Sequence, residues 1–98
     1  MPKCTFEEVL RLLEQDGAAY DEARHRMVNN AVRFWGSICS TAAEHPDPVV
    51  RSKLIGVIAA ARKIPVTQRR AVLEELLRNE THEIPLRSLR YILMYSLR

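Results

Sequence analysis

The stretch PVVRSKLIGVIAAARK, residues 48–63, decides the fold of this chain. Apart from three adjacent polar residues at 51–53, it is apolar on nearly every face of a helix until Arg62. A helix of this kind belongs in the interior of a protein. Asp47 is the predicted N-cap, and Pro48 stands at the first helical position. We therefore predict an all-α fold, a compact bundle of about five helices around a central apolar helix at residues 48–63.

Two helices are predicted before this stretch. Thr5 and Glu8 have the form of a capping box, which opens a short helix that Gly17 closes. Because such a short helix is not stable by itself, it must dock on the core. The longest predicted helix runs from residue 19 or 20 to residue 43. Its apolar residues share one face and are expected to be buried: Met27, Val28, Ala31, Phe34, Trp35, Ile38, Cys39 and Ala42.

Two more helices are predicted after the apolar stretch. Thr67 is the predicted N-cap of a helix over residues 68–79. Pro85 then starts a helix over residues 86–97, and the two faces of this helix differ sharply. One face is apolar and is expected to pack on the core: Leu86, Leu89, Ile92, Leu93 and Leu97.

A stripe of small residues runs along the predicted central helix: Ser52, Gly56, Ala59 and Ala60. Small side chains at a helix contact shorten the distance between the two helix axes. We therefore expect a neighbour, the long helix at 19–43, to cross the central helix at close range along this stripe.

The composition limits the class of protein. Cys4 and Cys39 show neither a CxxC spacing nor a histidine pairing, so no disulfide framework and no zinc site are predicted. The chain has no run of about 18 apolar residues, which argues against a membrane span. We expect a single helical domain over residues 1–98, located in the cytoplasm. Because no catalytic or metal-binding spacing is present, we expect no enzyme activity, no cofactor and no metal.

Charge is distributed unevenly along the chain. Residues 1–48 carry five Lys or Arg against eight Asp or Glu, whereas residues 49–98 carry ten against four. The C-terminal half is therefore strongly basic, and this polarity favours a partner with an acidic surface, either protein or nucleic acid.

The outer face of the last predicted helix is the candidate partner-binding surface. It combines basic residues with an aromatic residue and a methionine, a composition enriched at protein interfaces: Arg87, Arg90, Tyr91, Met94 and Arg98. The chain is accordingly predicted to be a small protein–protein interaction module, a regulator or inhibitor that binds a larger macromolecular partner. Two other interpretations remain open: Tyr91 and Met94 could pack on the N-terminal helix, or the chain could form a homodimer through this face or through the long helix.

A helix-turn-helix that binds nucleic acid, formed by residues 63–79, is the second interpretation. A short turn precedes Gln68, Arg69 and Arg70, which are side chains suited to base edges and phosphates. Against it, the turn lacks the usual glycine, and Glu74 and Glu75 follow on the same helix. We therefore place nucleic acid second to a protein partner.

Overall fold

Helices make up nearly the whole of the fold. The computed structural model describes residues 4–97, and this part of the chain contains no β-strand. It forms six α-helices followed by a π-helical turn: α1 Phe6–Leu13, α2 Ala18–Asn29, α3 Ala31–Glu44, α4 Pro48–Ala60, α5 Val66–Asn79, α6 Glu83–Tyr91 and the turn Ile92–Ser96. The all-α prediction is confirmed, with one α-helix more than the approximate five.

The additional helix arises because the long predicted helix is interrupted at Asn30. The backbone of Asn30 has φ −111° and ψ 23°, outside the helical region. Its side-chain amide nitrogen donates to the carbonyl of Arg26 at 2.8 Å, and its backbone N–H donates to the same oxygen at 3.0 Å. An asparagine side chain that competes for a helical carbonyl in this way ends α2, and α3 starts one residue later.

Several predicted helix boundaries are wrong. The first helix ends at Leu13, and Gly17 is the N-cap of α2 rather than the end of α1. The helix predicted to reach residue 63 ends at Ala60, and α5 begins at Val66 rather than after a Thr67 cap. The last helix begins at Glu83, because His82 is its N-cap and the Nδ1 atom accepts from the N–H of Ile84 at 3.2 Å. Pro85 is tolerated inside the first turn, where a backbone N–H has no intrahelical partner.

The apolar faces predicted from the sequence face the core, although some of their residues are only half-buried: Val28, Trp35, Cys39, Leu86, Ile92 and Leu93. α1 docks through Phe6, whose ring meets that of Phe34 edge-on at 5.7 Å between centroids. α4 packs against α2, α3, α5 and α6, and it buries Val50, Leu54, Ile55, Val57 and Ile58. The Cα radius of gyration is 12.6 Å, close to the roughly 13 Å of a compact domain of about 100 residues. None of the helices in the described range is long and apolar enough to cross a bilayer.

Each of the three polar residues at the start of α4 has a partner on another part of the chain. The Lys53 ammonium donates to the carbonyls of Leu13 and Gln15, at 2.9 and 3.0 Å, and so satisfies the end of α1. The hydroxyls of Ser52 and Ser88 lie 2.5 Å apart and connect α4 to α6. Burial of α4 is therefore compatible with these side chains because each forms a hydrogen bond.

Arg51 and Glu80 form the most buried ion pair of the described chain. Nε and Nη2 of Arg51 donate to the two carboxylate oxygens of Glu80 at 2.9 and 3.0 Å, and Nη1 donates to the carbonyl of His45 at 2.7 Å. Only 14% of the Arg51 side chain and 8% of the Glu80 side chain are exposed. The pair connects the start of α4 with the loops before α4 and after α5.

The pKa of the Glu80 carboxyl is lowered from its ordinary value. Burial acts to raise this pKa, but it is outweighed by the hydrogen bonds from Arg51 and from the backbone N–H groups of His82 and Thr81, together with the charge of Arg51. The native state therefore favours the ionised carboxylate.

Gly56 does not make the close helix contact predicted from the small-residue stripe. A Cβ atom added to Gly56 would have no neighbouring atom within 4 Å outside the local helix backbone. The neighbour at the start of the stripe is α6, through Ser88, rather than the long helix. The predicted close crossing is therefore wrong at this residue.

Replacing Glu80 with Gln should lower the free energy of unfolding at pH 7 by about 3 kcal/mol, because the buried Arg51 charge loses its partner. The expected decrease in Tm for a chain of this size is roughly 12–24 °C, measured by far-UV circular dichroism. Glu83→Gln is the matched control, because its ion pair with Arg87 is 3.6 Å long and exposed.

The same comparison has a defined pH dependence. A carboxyl with a lowered folded pKa stabilises the native state above its unfolded pKa, about 4.3 for Glu, and this stabilisation disappears as the pH falls through the folded pKa. The difference in Tm between Glu80→Gln and the wild type should therefore shrink below about pH 4. A difference that is equal at pH 7 and pH 3 would contradict the ion-pair explanation.

Replacing Gly56 with Ala should raise the free energy of unfolding by about 0.5–1 kcal/mol, because the helix interior gains propensity and the space for a methyl group is open. Gly36→Ala in α3 is the matched control and should behave in the same way. Gly17→Ala should destabilise instead, since Gly17 has φ 73°. Urea denaturation measures all three, and a loss of stability in Gly56→Ala would restore the close-contact interpretation.

Candidate functional site

The exposed side of α6 and the π-helical turn is the candidate site, and we call it the C-terminal face. Its members are basic, aromatic or large apolar residues: Ile84, Arg87, Arg90, Tyr91, Met94 and Tyr95. The exposed fractions are 62% for Tyr91, 61% for Met94 and 55% for Tyr95. Arg87 and Tyr91 also line a shallow depression of 360 Å³ with Ser88 and Ile92. Large apolar side chains that cluster on a surface in this way are typical of interaction sites.

The opposite side of α6 explains why this face points outward. Leu89 and Leu97 are buried in the main core. In an ideal α-helix two residues eight positions apart differ by about 80° in direction. The π-helical turn, closed by the N–H of Leu97 on the carbonyl of Ile92 at 3.0 Å, is wider and rotates the chain less per residue. Leu97 therefore returns to the core, while Met94 and Tyr95 stay exposed.

The positive charges of the C-terminal face are scarcely neutralised by acidic residues of the described chain. Arg87 forms one ion pair, with Glu83 at 3.6 Å, and both side chains are exposed. Within residues 4–97, Arg90 has neither an ion pair nor a side-chain hydrogen bond. The rings of Tyr91 and Tyr95 contact each other at 5.2 Å between centroids, so the aromatic part of the face is continuous.

The predicted partner-binding residues that the structure describes are exposed to solvent. Tyr91 and Met94 face outward, so the interpretation that they pack on the N-terminal helix is wrong. Arg87 and Arg90 are exposed beside them, and Arg98 lies outside the described residues.

Sequence reasoning missed Ile84 and Tyr95. Ile84 lies before Pro85, where the sequence predicts the helix to start. With His82 as the N-cap, Ile84 belongs to the first turn of α6. Tyr95 follows Tyr91 by four residues, a spacing that puts two residues side by side on a helix.

The residues predicted to contact nucleic acid divide into two groups. The guanidinium of Arg69 donates to the carbonyls of Ala59 at 2.7 Å and Ile64 at 2.8 Å, so it satisfies the end of α4. Gln68 is exposed and Arg70 is half-buried, and neither has a side-chain hydrogen bond or ion pair within residues 4–97. Arg69 therefore has a structural role that its position in the sequence did not reveal.

The described residues contain no group of three or more His, Cys, Asp or Glu that could hold a metal ion. Burial raises the pKa of the Cys39 thiol to about 11. This thiol is therefore protonated near neutral pH, whereas the thiolate is the nucleophilic form of cysteine.

Comparison of the chain with protein-family models, with curated proteins and with solved structures found no match.

The two sides of α6 should differ in their contribution to stability. Leu89→Ala is expected to lower the free energy of unfolding by about 2–5 kcal/mol, because it leaves a cavity in the core. Met94→Ala should change it by less than about 0.5 kcal/mol, since the side chain is largely exposed. Urea denaturation measures both changes, provided that the m-value is the same in the variants and the wild type. Equal losses of unfolding free energy would mean that Met94 packs on the core.

Proposed function

We propose that this protein is a small helical interaction module, a regulator or inhibitor that binds a larger protein partner through the C-terminal face. The proposal rests on one observation: two tyrosines and a methionine, each more than half exposed, lie together beside two exposed arginines. Tyr, Met and Arg are enriched in the buried centres of protein interfaces, and Tyr and Arg supply many of their hot spots.

The charge of the face indicates the chemistry of the partner. Arg90 has no partner within residues 4–97, and Arg87 has only an exposed ion pair that contributes little to folding. Both guanidinium groups are therefore available to carboxylates of another molecule. A partner surface with an apolar centre and an acidic rim would match this arrangement, and charge complementarity would increase its association rate.

The remaining parts of the proposal concern the setting of this function. We propose a binding role rather than catalysis, in the cytoplasm, where the free thiols of Cys4 and Cys39 would stay reduced. α4 would serve as the central structural helix that holds α6 in position. A second copy of this chain, bound through the same face, is the alternative partner. Light scattering after size exclusion distinguishes such a homodimer from a monomer.

The proposal is tested with Arg87→Glu and Tyr91→Ala. Each should raise the Kd for the partner at least about tenfold, which corresponds to a loss of roughly 1.4 kcal/mol of binding free energy. The CD spectrum and Tm should stay close to wild type. A photo-crosslinking amino acid in place of Met94 identifies the bound protein in a host lysate, and binding of that purified protein is then measured by calorimetry. The crosslinked segment of the partner should be rich in Asp and Glu.

Arg78→Glu is the matched control. Arg78 is an exposed helical arginine with a local carboxylate partner, Glu75, so the substitution makes the same change in charge on a different helix. Equal loss of binding in Arg78→Glu and Arg87→Glu would reduce the effect to net charge and contradict the proposed face. A dimer that becomes monomeric in Tyr91→Ala would assign the face to self-association instead.

A further inference from the structure

A second surface feature lies away from the C-terminal face, between α2 and the turn that joins α4 to α5. It is a cleft of 690 Å³, and six of its eight lining residues are polar or charged: Asp21, Arg24, His25, Val28, Asn29, Ala60, Arg62 and Lys63. The volume falls within the range of roughly 300–1,000 Å³ that is typical of small-molecule sites. No residue of the cleft belongs to the C-terminal face.

The charges around this cleft are unbalanced. Arg24, Arg62 and Lys63 bring three positive charges against the single negative charge of Asp21, which leaves an excess of two. Within residues 4–97 neither Arg24 nor Arg62 has an ion pair or a side-chain hydrogen bond, and Asp21 is paired with neither. Exposed cations that face one cleft without partners attract anions into it.

Two helix C-termini end at this cleft, and their carbonyl groups would otherwise repel an anion. Lys63 donates to the carbonyl of Asn29, the last residue of α2, at 3.1 Å. Arg69 donates to the carbonyl of Ala59 in the last turn of α4 at 2.7 Å. These two cations cover the negative ends of the helices, so the remaining positive charge of the cleft is available to a ligand.

We propose that this cleft binds the phosphate groups of an anionic ligand of about nucleotide size. A phosphate group carries up to two negative charges and offers three acceptor oxygens, so one group can bind both Arg24 and Arg62, whereas a carboxylate carries one charge. Guanidinium groups bind phosphate oxygens with paired hydrogen bonds, and Arg24 and Arg62 supply two such groups from two elements. Val28 and Ala60, both half-buried, add an apolar part of the wall for the rest of the ligand.

Phosphate of this kind has two sources, a free nucleotide and the backbone of a nucleic acid. NMR titrations of the ¹⁵N-labelled chain with tripolyphosphate, ATP and a single-stranded oligonucleotide at low salt distinguish them. All three should shift amides of residues 21–29 and 60–63, and the tightest ligand identifies the source. Absence of shifts in these segments with all three probes would overturn the proposal.

Variants test whether the charges of the cleft are responsible. Arg24→Gln and Arg62→Gln should each weaken tripolyphosphate binding about tenfold, and Asp21→Asn should strengthen it several-fold because it removes a repelling charge. Arg62→Lys, which keeps the charge but loses the paired hydrogen bonds, should weaken binding less than Arg62→Gln. Arg90→Gln is the matched control, with the same charge change on the C-terminal face.

Equal weakening by Arg90→Gln and Arg62→Gln would mean that binding follows net charge alone, and it would overturn the proposed site. The same holds if Asp21→Asn leaves the affinity unchanged. Because the two surfaces share no residue, loss of phosphate binding in the cleft variants leaves the proposed protein interface untouched. The two proposals therefore fail or stand separately.

Discussion

The fold depends on how α4, which packs against four other helices, accommodates three adjacent polar side chains. Arg51, Ser52 and Lys53 stand in the first half of α4, where an unpaired charge would be costly. Each is matched by a different region: the loop after α5, the hydroxyl on α6, and the carbonyls that end α1. The same residues that interrupt the apolar pattern thus fix the positions of the surrounding helices. Packing supplies the attraction, and these bonds select one arrangement.

Much of this arrangement could be predicted from local sequence. Caps such as Thr5 and Asp47 act within three residues, and each side chain accepts from a backbone N–H of its helix. The apolar periodicity of α3 likewise identified the side that is buried, because burial follows helical geometry directly. The break at Asn30 and the cap at His82 were missed, since either side chain can equally be exposed and uninvolved. Which of these happens depends on geometry that a one-dimensional pattern does not contain.

The candidate sites show a similar division. The sequence placed Tyr91 and Met94 opposite a leucine face but left open whether they pack on the N-terminal helix, and the structure shows them exposed. The roles of the arginines did not follow from the sequence, because a count of charges treats them all alike. In the structure, Arg51 and Arg69 are bound to carboxylate or carbonyl oxygens of the chain itself, whereas Arg62 and Arg90 have no such partner within residues 4–97. The basic half of the chain is therefore less available to ligands than its net charge indicates.

The π-helical turn constrains the length of the last segment more strictly than it constrains the side chains at the exposed positions. It allows both Leu89 and Leu97, eight residues apart, to point into the core. No residue within the turn itself is fully buried. Ile92 and Leu93 are half-buried and pack against the core, whereas the exposed side chains at 94–96 can change with little cost in stability. The length of the segment is constrained, because gain or loss of one residue would move Leu97 out of the core. The composition of this surface can therefore change by substitution at its exposed positions more readily than by insertion or deletion.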